Sequence, residues 1–306
     1  MAAGGGINPD MSRMADFVRR TPVARALLAG PLSVRRRWLD HQRQPVETAL
    51  RRLGSLAMSD VRLRVDEFEG EFTLGANSHL LRRLLADGCY EPELVALFLR
   101  HLQPDRDVID VGANVGFFTV LAGKHLASGR VLAAEPAASA FKRLQENVAA
   151  NGVEDRVILF NGVVSDAERL VSVHVVPGLE EYSSVGEVAH PSAAGAATHV
   201  EQVGAKSLDQ LVREHGLRPA LVKIDVEGGE GPVFAGAEET LREHRPVIVS
   251  EFSLSLLRHN GTDPDAILAL LRRCDYDVRD PRDARLTPGS ADFRDIIAIP
   301  RWRGTI

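Results

Sequence analysis

The sequence predicts an α/β protein built on a doubly wound sheet, and three observations predict it. Short apolar, β-branched runs alternate with helical patterns from Asp107 to Pro300. One of these units, Asp107 to Gly123, reads as a buried strand (Val108, Ile109, Val111), a turn rich in glycine (Gly112, Asn114, Gly116) and a helix from about Phe117. Four strands end in an acid, at Asp110, Glu135, Asp225 and Glu251, on the edge where such sheets bind ligands.

The chain has 306 residues, enough for one α/β domain (61–306) behind an N-terminal extension (1–60). Its net charge of −5 gives no general affinity for nucleic acid. No run of aromatic residues among basic ones offers base stacking. Cys89 and Cys274 have no CxxC partner, so neither a zinc site nor a disulfide framework is indicated, and a reducing cytoplasm fits. No apolar run reaches the length of a membrane span. The glycine-rich start lacks the charged region and apolar core of a signal peptide.

Taken in order, residues 1 to 12 are expected to be disordered. From Met14 to Leu53 arginines (Arg19, Arg20, Arg25, Arg35, Arg36, Arg37) recur among apolar residues, which predicts basic amphipathic helices. Over 14–53 these suit peripheral contact with an anionic membrane or an acidic partner. The preferred reading is plainer: an arm that packs on the main domain or on a second copy of the chain in a homo-oligomer, its arginines in water. Residues 61 to 74 alternate and read as a hairpin with Gly70 at or near its turn. Helices over 77–86 and from Tyr90-Glu91-Pro92 to His101 lead into the loop strand.

In that loop, Gly112 and Gly116 leave room for a ligand against the backbone, and Asn114 tolerates a left-handed turn. The helix that follows points its free N–H groups at the same place. The next strand ends in Glu135-Pro136, about 20 residues beyond the loop, where a ribose-binding carboxylate belongs. An adenosine-containing cofactor is implied. A dinucleotide would want G-x-G-x-x-G, which is absent, whereas Asp110 suits a positively charged amino group. S-adenosylmethionine carries such a group, so it is favoured over a nicotinamide cofactor. The competing readings are a nicotinamide-dependent oxidoreductase and a non-catalytic binding protein that keeps the fold as a relic.

A helix over 138–151 closes at Asn151-Gly152, and a third strand over 156–161 brings Asn161 beside the adenine position, with Val163 able to line that pocket. Residues 169–205 form an insertion with two β-like runs, either a substrate cover or a plain surface hairpin. Ser207 to His215 is a helix with Ser207 as a possible cap. The strand from Leu221 places Lys223 and Asp225 on one face, followed by Glu227 and Glu230. The strand from Arg245 ends at Glu251. Residues 264–273 are helical, and 276–279 and 296–300 close the sheet.

For methyl transfer to an oxygen, Asp225 would accept the proton, or hold a divalent cation such as magnesium. The plainer alternative is an ion-pair cluster with Lys223. Glu251 faces the same region, and His259, just past its strand, is a second candidate base. His244, His190 and His199 are expected to be structural or solvated.

The motifs Tyr90-Glu-Pro, Asp110-Val-Gly-Ala-Asn-Val-Gly, Ala134-Glu-Pro, Ser165-Asp166, Ser183-Ser184, Ser207-Leu-Asp, Lys223-Ile-Asp-Val-Glu-Gly and His244-Arg-Pro stand in a fixed order over residues 88 to 252. The series resembles the FkbM family of S-adenosylmethionine-dependent methyltransferases. The resemblance implies a class I methyltransferase (Rossmann-like) fold with a seven-stranded sheet whose last strand is antiparallel. It implies O-methylation of a hydroxyl on a sugar, glycolipid or polyketide-type secondary metabolite. It also implies Glu91 near the cofactor tail, Asp110, Gly112, Asn114 and Gly116 along its methionine part, Glu135 on the ribose, and Asp225 and Glu227 facing the reaction. Gly229 stands where family members commonly carry Ala, and Gly231-Pro232 is expected to shift the next helix start.

Overall fold

The structure is a computed structural model that describes residues 60–185, 193, 195–281 and 295–301. The basic helices expected over 14–53, the expected disorder of 1–12 and His190 lie outside the described residues.

The described chain opens with a hairpin, β1 (Asp60–Val65) and β2 (Gly70–Gly75), and helices α1 (His79–Asp87) and α2 (Pro92–His101). Next come β3 (Asp107–Val111), α3 (Phe117–His125), β4 (Val131–Ala134), α4 (Ala138–Ala150) and β5 (Val157–Phe160). The insertion region supplies β6 (Val163–Ser165), β7 (Arg169–Val175), β8 (Ser184–Val185) and β9 (His199–Ser207). The chain continues through α5 (Leu208–His215), β10 (Pro219–Ile224), α6 (Glu230–Ala235), α7 (Glu238–Glu243) and β11 (Val247–Glu251). It closes with α8 (Leu254–His259), α9 (Pro264–Arg273), β12 (Tyr276–Arg279) and β13 (Asp295–Pro300).

Seven strands form the main sheet in the order β12-β13-β11-β10-β3-β4-β5. All its pairings are parallel except those of β13, which runs antiparallel to both neighbours. Every residue of β3, β4 and β10 is buried, as expected of strands covered on both faces. Val108, Val131, Leu221 and Val249 pack on one face with Phe98, Phe118 and Leu121; Ile109, Leu132, Val222 and Ile248 pack on the other with Leu211, Phe234, Leu241 and Leu271. From β3 the chain winds to one side through β4 and β5, and later lays β10 and β11 on the other. The switch point therefore lies between β3 and β10, and a crevice opens beyond their carboxyl ends. The register levels those ends, with Lys223 opposite both Asp110 and Val249.

The N-terminal hairpin docks through two asparagines. Asn147 accepts from the Thr73 N–H (2.7 Å) and donates to the Thr73 and Val115 carbonyls, while Asn151 accepts from the Glu71 N–H (2.9 Å) and donates to its carbonyl (2.7 Å). Helix α4 thus presents side-chain amides to β2 as if it were a further strand. Phe72 stacks on Phe117 and Tyr90 meets the same ring edge-on, at 5.7 and 5.1 Å between centroids, an arrangement aromatic pairs favour.

Gly70 stands next to the hairpin turn, as expected, and opens β2 behind Glu69, which takes the left-handed conformation. The insertion is more than a hairpin: β6 pairs parallel to β9 and the four strands order as β6-β9-β7-β8. Its inner residues Val173 and Val175 bury against Ala140 of α4 and Ala137, which caps that helix. Ser207 does cap α5, accepting from the Gln210 N–H at 3.1 Å.

Candidate active site

A cavity of about 530 Å³ occupies the switch point. Its floor is the loop after β3. Gly112 (φ 75°) and Asn114 (φ 49°) turn left-handed, and the amides of Gly112 and Ala113 both donate to the Ala134 carbonyl, at 3.0 and 2.9 Å. A Cβ at Gly112 would lie 1.8 Å from the Asp225 carbonyl oxygen. The close approach that demands glycine there is made by the protein itself, not left open for a ligand. Gly116 (φ 90°) caps the start of α3 and admits Leu144 of α4, whose Cδ1 a Cβ would meet at 2.5 Å. Gly116 lies outside the cavity wall.

Glu135 closes one end. Its Oε2 accepts from the Asn114 N–H (2.8 Å) and its Oε1 from the Ala137 N–H (2.9 Å). Burial pushes this carboxyl up to about 7, against the two amide donors that pull it down. Pro136 and Val163 line the wall beside it. Asn161 is outside the wall and acts from behind, its amide donating to the Glu135 carbonyl at 2.9 Å and that of Pro136 at 3.2 Å.

Acids crowd the opposite end: Glu91, Asp225, Glu227, Glu251 and Asp295 all line it. Oxygens of Asp225, Glu227 and Glu251 lie within 4.8 Å of one another. Glu227 is pushed up to about 9 and Glu251 to about 10, first by burial and then by the charge of Asp225. Glu91 rises to about 7, by burial and Asp225, with Lys223 opposing. Glu91 and Glu227 are also held at positive φ, 42° and 51°, a conformation that costs roughly 1–2 kcal/mol for a residue with a Cβ. The Glu227 turn is braced by Asn260, which donates to its carbonyl at 3.1 Å, and by buried Glu230, whose Oε1 accepts from the Gly228 N–H at 3.2 Å.

Two sequence expectations are revised. Asp110 is not on the cavity wall: it is 1% exposed, accepts from the Thr119 hydroxyl (2.7 Å) and faces the Lys223 ammonium (3.5 Å). His259 ends α8 exposed to solvent, outside the cavity wall. Lys223 and Asp225 do share a face, 3.2 Å apart.

The sequence reading missed other wall residues. Arg169 is held by Ser165 and Asp166, which accounts for the Ser-Asp pair. The insertion reaches the wall through Tyr182, Ser183 and Ser184, the stretch that the sequence singles out there, and through Glu181, whose carboxylate accepts from the His79 N–H at the start of α1 (2.7 Å). Asp295 arrives from β13. Arg169, Glu181 and Asp295 are brought in by tertiary packing, and no local spacing announces them. Asp209, in the Ser207-Leu-Asp motif, lies away from the cavity and caps α7 through the amides of Glu239 and Thr240.

Residues 110–278 match the family model described as the methyltransferase FkbM domain. The chain is 27% identical over 259 residues to the AMB antimetabolite synthetase AmbE of Pseudomonas aeruginosa, a match over 73% of this chain and 12% of that one. It is 28% identical over 195 residues to the 2-O-methyltransferase NoeI of Sinorhizobium fredii, over 59% of this chain and 76% of NoeI. It is 29% identical over 196 residues to the 31-O-demethyl-FK506 methyltransferase FkbM of Streptomyces tacrolimicus, over 54% of this chain and 70% of that enzyme.

Proposed function

The chain belongs to the FkbM methyltransferase family, and we propose that it moves a methyl group from S-adenosylmethionine to a hydroxyl of a small molecule. The acceptor class we assign is a sugar, glycolipid or polyketide-type secondary metabolite, in keeping with the O-methyltransferase names of two of its relatives. The observation that carries the cofactor is the Glu135–Asn114 pairing at the end of β4 (2.8 Å). It leaves a carboxylate in the cavity with lone pairs free for the two ribose hydroxyls.

S-adenosylmethionine supplies a methyl group on a sulfonium, so the leaving group is a neutral thioether. In this reading the Gly112–Asn114 loop lies along the methionine part, and Glu91 takes the charged amino group that Asp110 is too buried to reach. Asp225 orients the acceptor hydroxyl and takes its proton as the oxygen–carbon bond forms and the carbon–sulfur bond breaks. Glu227 and Glu251, protonated at neutral pH, donate hydrogen bonds to the acceptor's other oxygens.

A metal-assisted version is favoured by one observation, the three carboxylates within 4.8 Å. Hard oxygen donors in that number suit magnesium, which would lower the pKa of the acceptor hydroxyl. Retention of full activity in EDTA excludes that version.

Calorimetric titration with S-adenosylhomocysteine tests the central reading. Micromolar binding is the expected result; no heat from folded protein overturns it.

A further inference from the structure

Lys223 is a cation with almost no access to solvent, 4% exposed. Its ammonium faces three acceptor groups: it donates to the Gly112 carbonyl (3.4 Å) and to Asp225 Oδ2 (3.2 Å), and it forms an ion pair across 3.5 Å with Asp110 Oδ1, which has no hydrogen-bond partner among the described residues. It also lies 5.3 Å from the Phe118 ring centroid, within cation–π range. The three acceptors belong to different segments: the end of β3, the loop after it and the end of β10.

These segments are already locked by backbone. The Asp225 N–H donates to the Val111 carbonyl at 3.0 Å, and the Asp225 carbonyl oxygen fills the space beside Gly112. The side chain of Lys223 does for the polar groups what these contacts do for the main chain. Burial works against its charge, but Asp225, Asp110 and Glu91 outweigh that and hold it protonated. Of the clustered acids, Asp225 has this partner; Glu227 and Glu251 each keep a buried Oε2 without a hydrogen-bond partner among the described residues.

Resting on the methyltransferase reading, we infer that Lys223 is a positioning residue: it clamps the cofactor loop and the Asp225 carboxylate into one block, with Asp110 behind it as counter-ion. The ammonium touches both halves of the site, so the loop cannot be shaped for cofactor without also setting Asp225 toward the acceptor. Asp110 serves the site through Lys223 rather than by touching a ligand.

The test compares S-adenosylhomocysteine affinity with thermal stability in three proteins. Lys223→Met leaves Asp110 buried without its counter-ion, so its Tm falls, and its Kd rises at least tenfold. Asp110→Asn/Lys223→Met removes the buried pair together, so its Tm recovers toward wild type while its Kd stays at least tenfold weaker. A double variant that binds within threefold of wild type shows that Lys223 only balances a buried charge, and overturns the inference. Wild-type protein that fails to bind overturns the cofactor reading, and this inference with it. Should neither variant fold, the wild type still decides. The Lys223 ammonium ¹⁵N resonance is expected to be visible at neutral pH and to shift on saturation with S-adenosylhomocysteine; an unmoved signal overturns the inference.

Discussion

Gly112 and Asp225 are in backbone contact: the Asp225 carbonyl oxygen sits where a Cβ of residue 112 would be, 1.8 Å from it. The glycine loop after β3 and the end of β10, which line the same cavity, are thus fitted to each other through their backbones. Gly112→Ala must both relieve this overlap and adopt φ 75°, at a combined cost of about 2–4 kcal/mol. A Tm drop of roughly 5–15 °C is expected by calorimetry, with S-adenosylhomocysteine binding lost in step.

Asp225→Asn keeps the shape of the strand end but removes the proton acceptor. Turnover is expected to fall by ~10²–10⁴-fold, the usual worth of general-base catalysis. Affinity for S-adenosylhomocysteine should stay within a few-fold of wild type by calorimetry. Undiminished turnover removes Asp225 from the chemistry.

Glu135→Ala deletes the carboxylate that the Asn114 and Ala137 amides orient. Hydrogen bonds to a charged group are worth about 1.5–3 kcal/mol each, so cofactor affinity is expected to fall by about 10–100-fold or more. Adenine or methionine alone, which carry no ribose, would bind the variant and the wild type alike.

The raised carboxyls make stability depend on pH in a stated direction. Glu251, pushed by burial from 4.5 to about 10, and Glu227, pushed to about 9, bind protons more tightly in the folded than in the unfolded chain. Their contribution is present below about 4.5 and is lost as pH climbs toward 9 and 10. The Tm of the ligand-free protein should therefore fall between pH 6 and pH 9. Glu251→Gln, which mimics the protonated acid, should flatten that fall and match wild type near pH 5. A wild-type Tm that rises over this interval contradicts the assignment.

Much of the fold was legible because its signals are local. The apolar runs at Val108–Val111 and Leu221–Ile224, the spacing from the loop to Glu135 and the serine that caps α5 each follow from neighbouring residues. The short helices α6, α7 and α8 span six residues each, too few for a helical period to show. The site was half legible. Glu91, Gly112, Asn114, Glu135, Asp225, Glu227 and Glu251 line one cavity. The register between β3 and β10, which sets Lys223 opposite Asp110, a residue buried off the cavity wall, is a long-range pairing that no stretch of sequence displays. His259 was misplaced because α8, too short for its period to show, carries it out to solvent.

The last strand has a bearing on how the molecule is made. β13 does not extend the sheet but wedges between β11 and β12, bringing Asp295 opposite Glu251. During synthesis the ribosome releases every other strand of the main sheet first, so a gap beside β11 waits for residues 295–300. The cavity wall is therefore finished by nearly the last residues described, and a nascent chain arrested before them would present an open sheet edge to chaperones rather than a binding site.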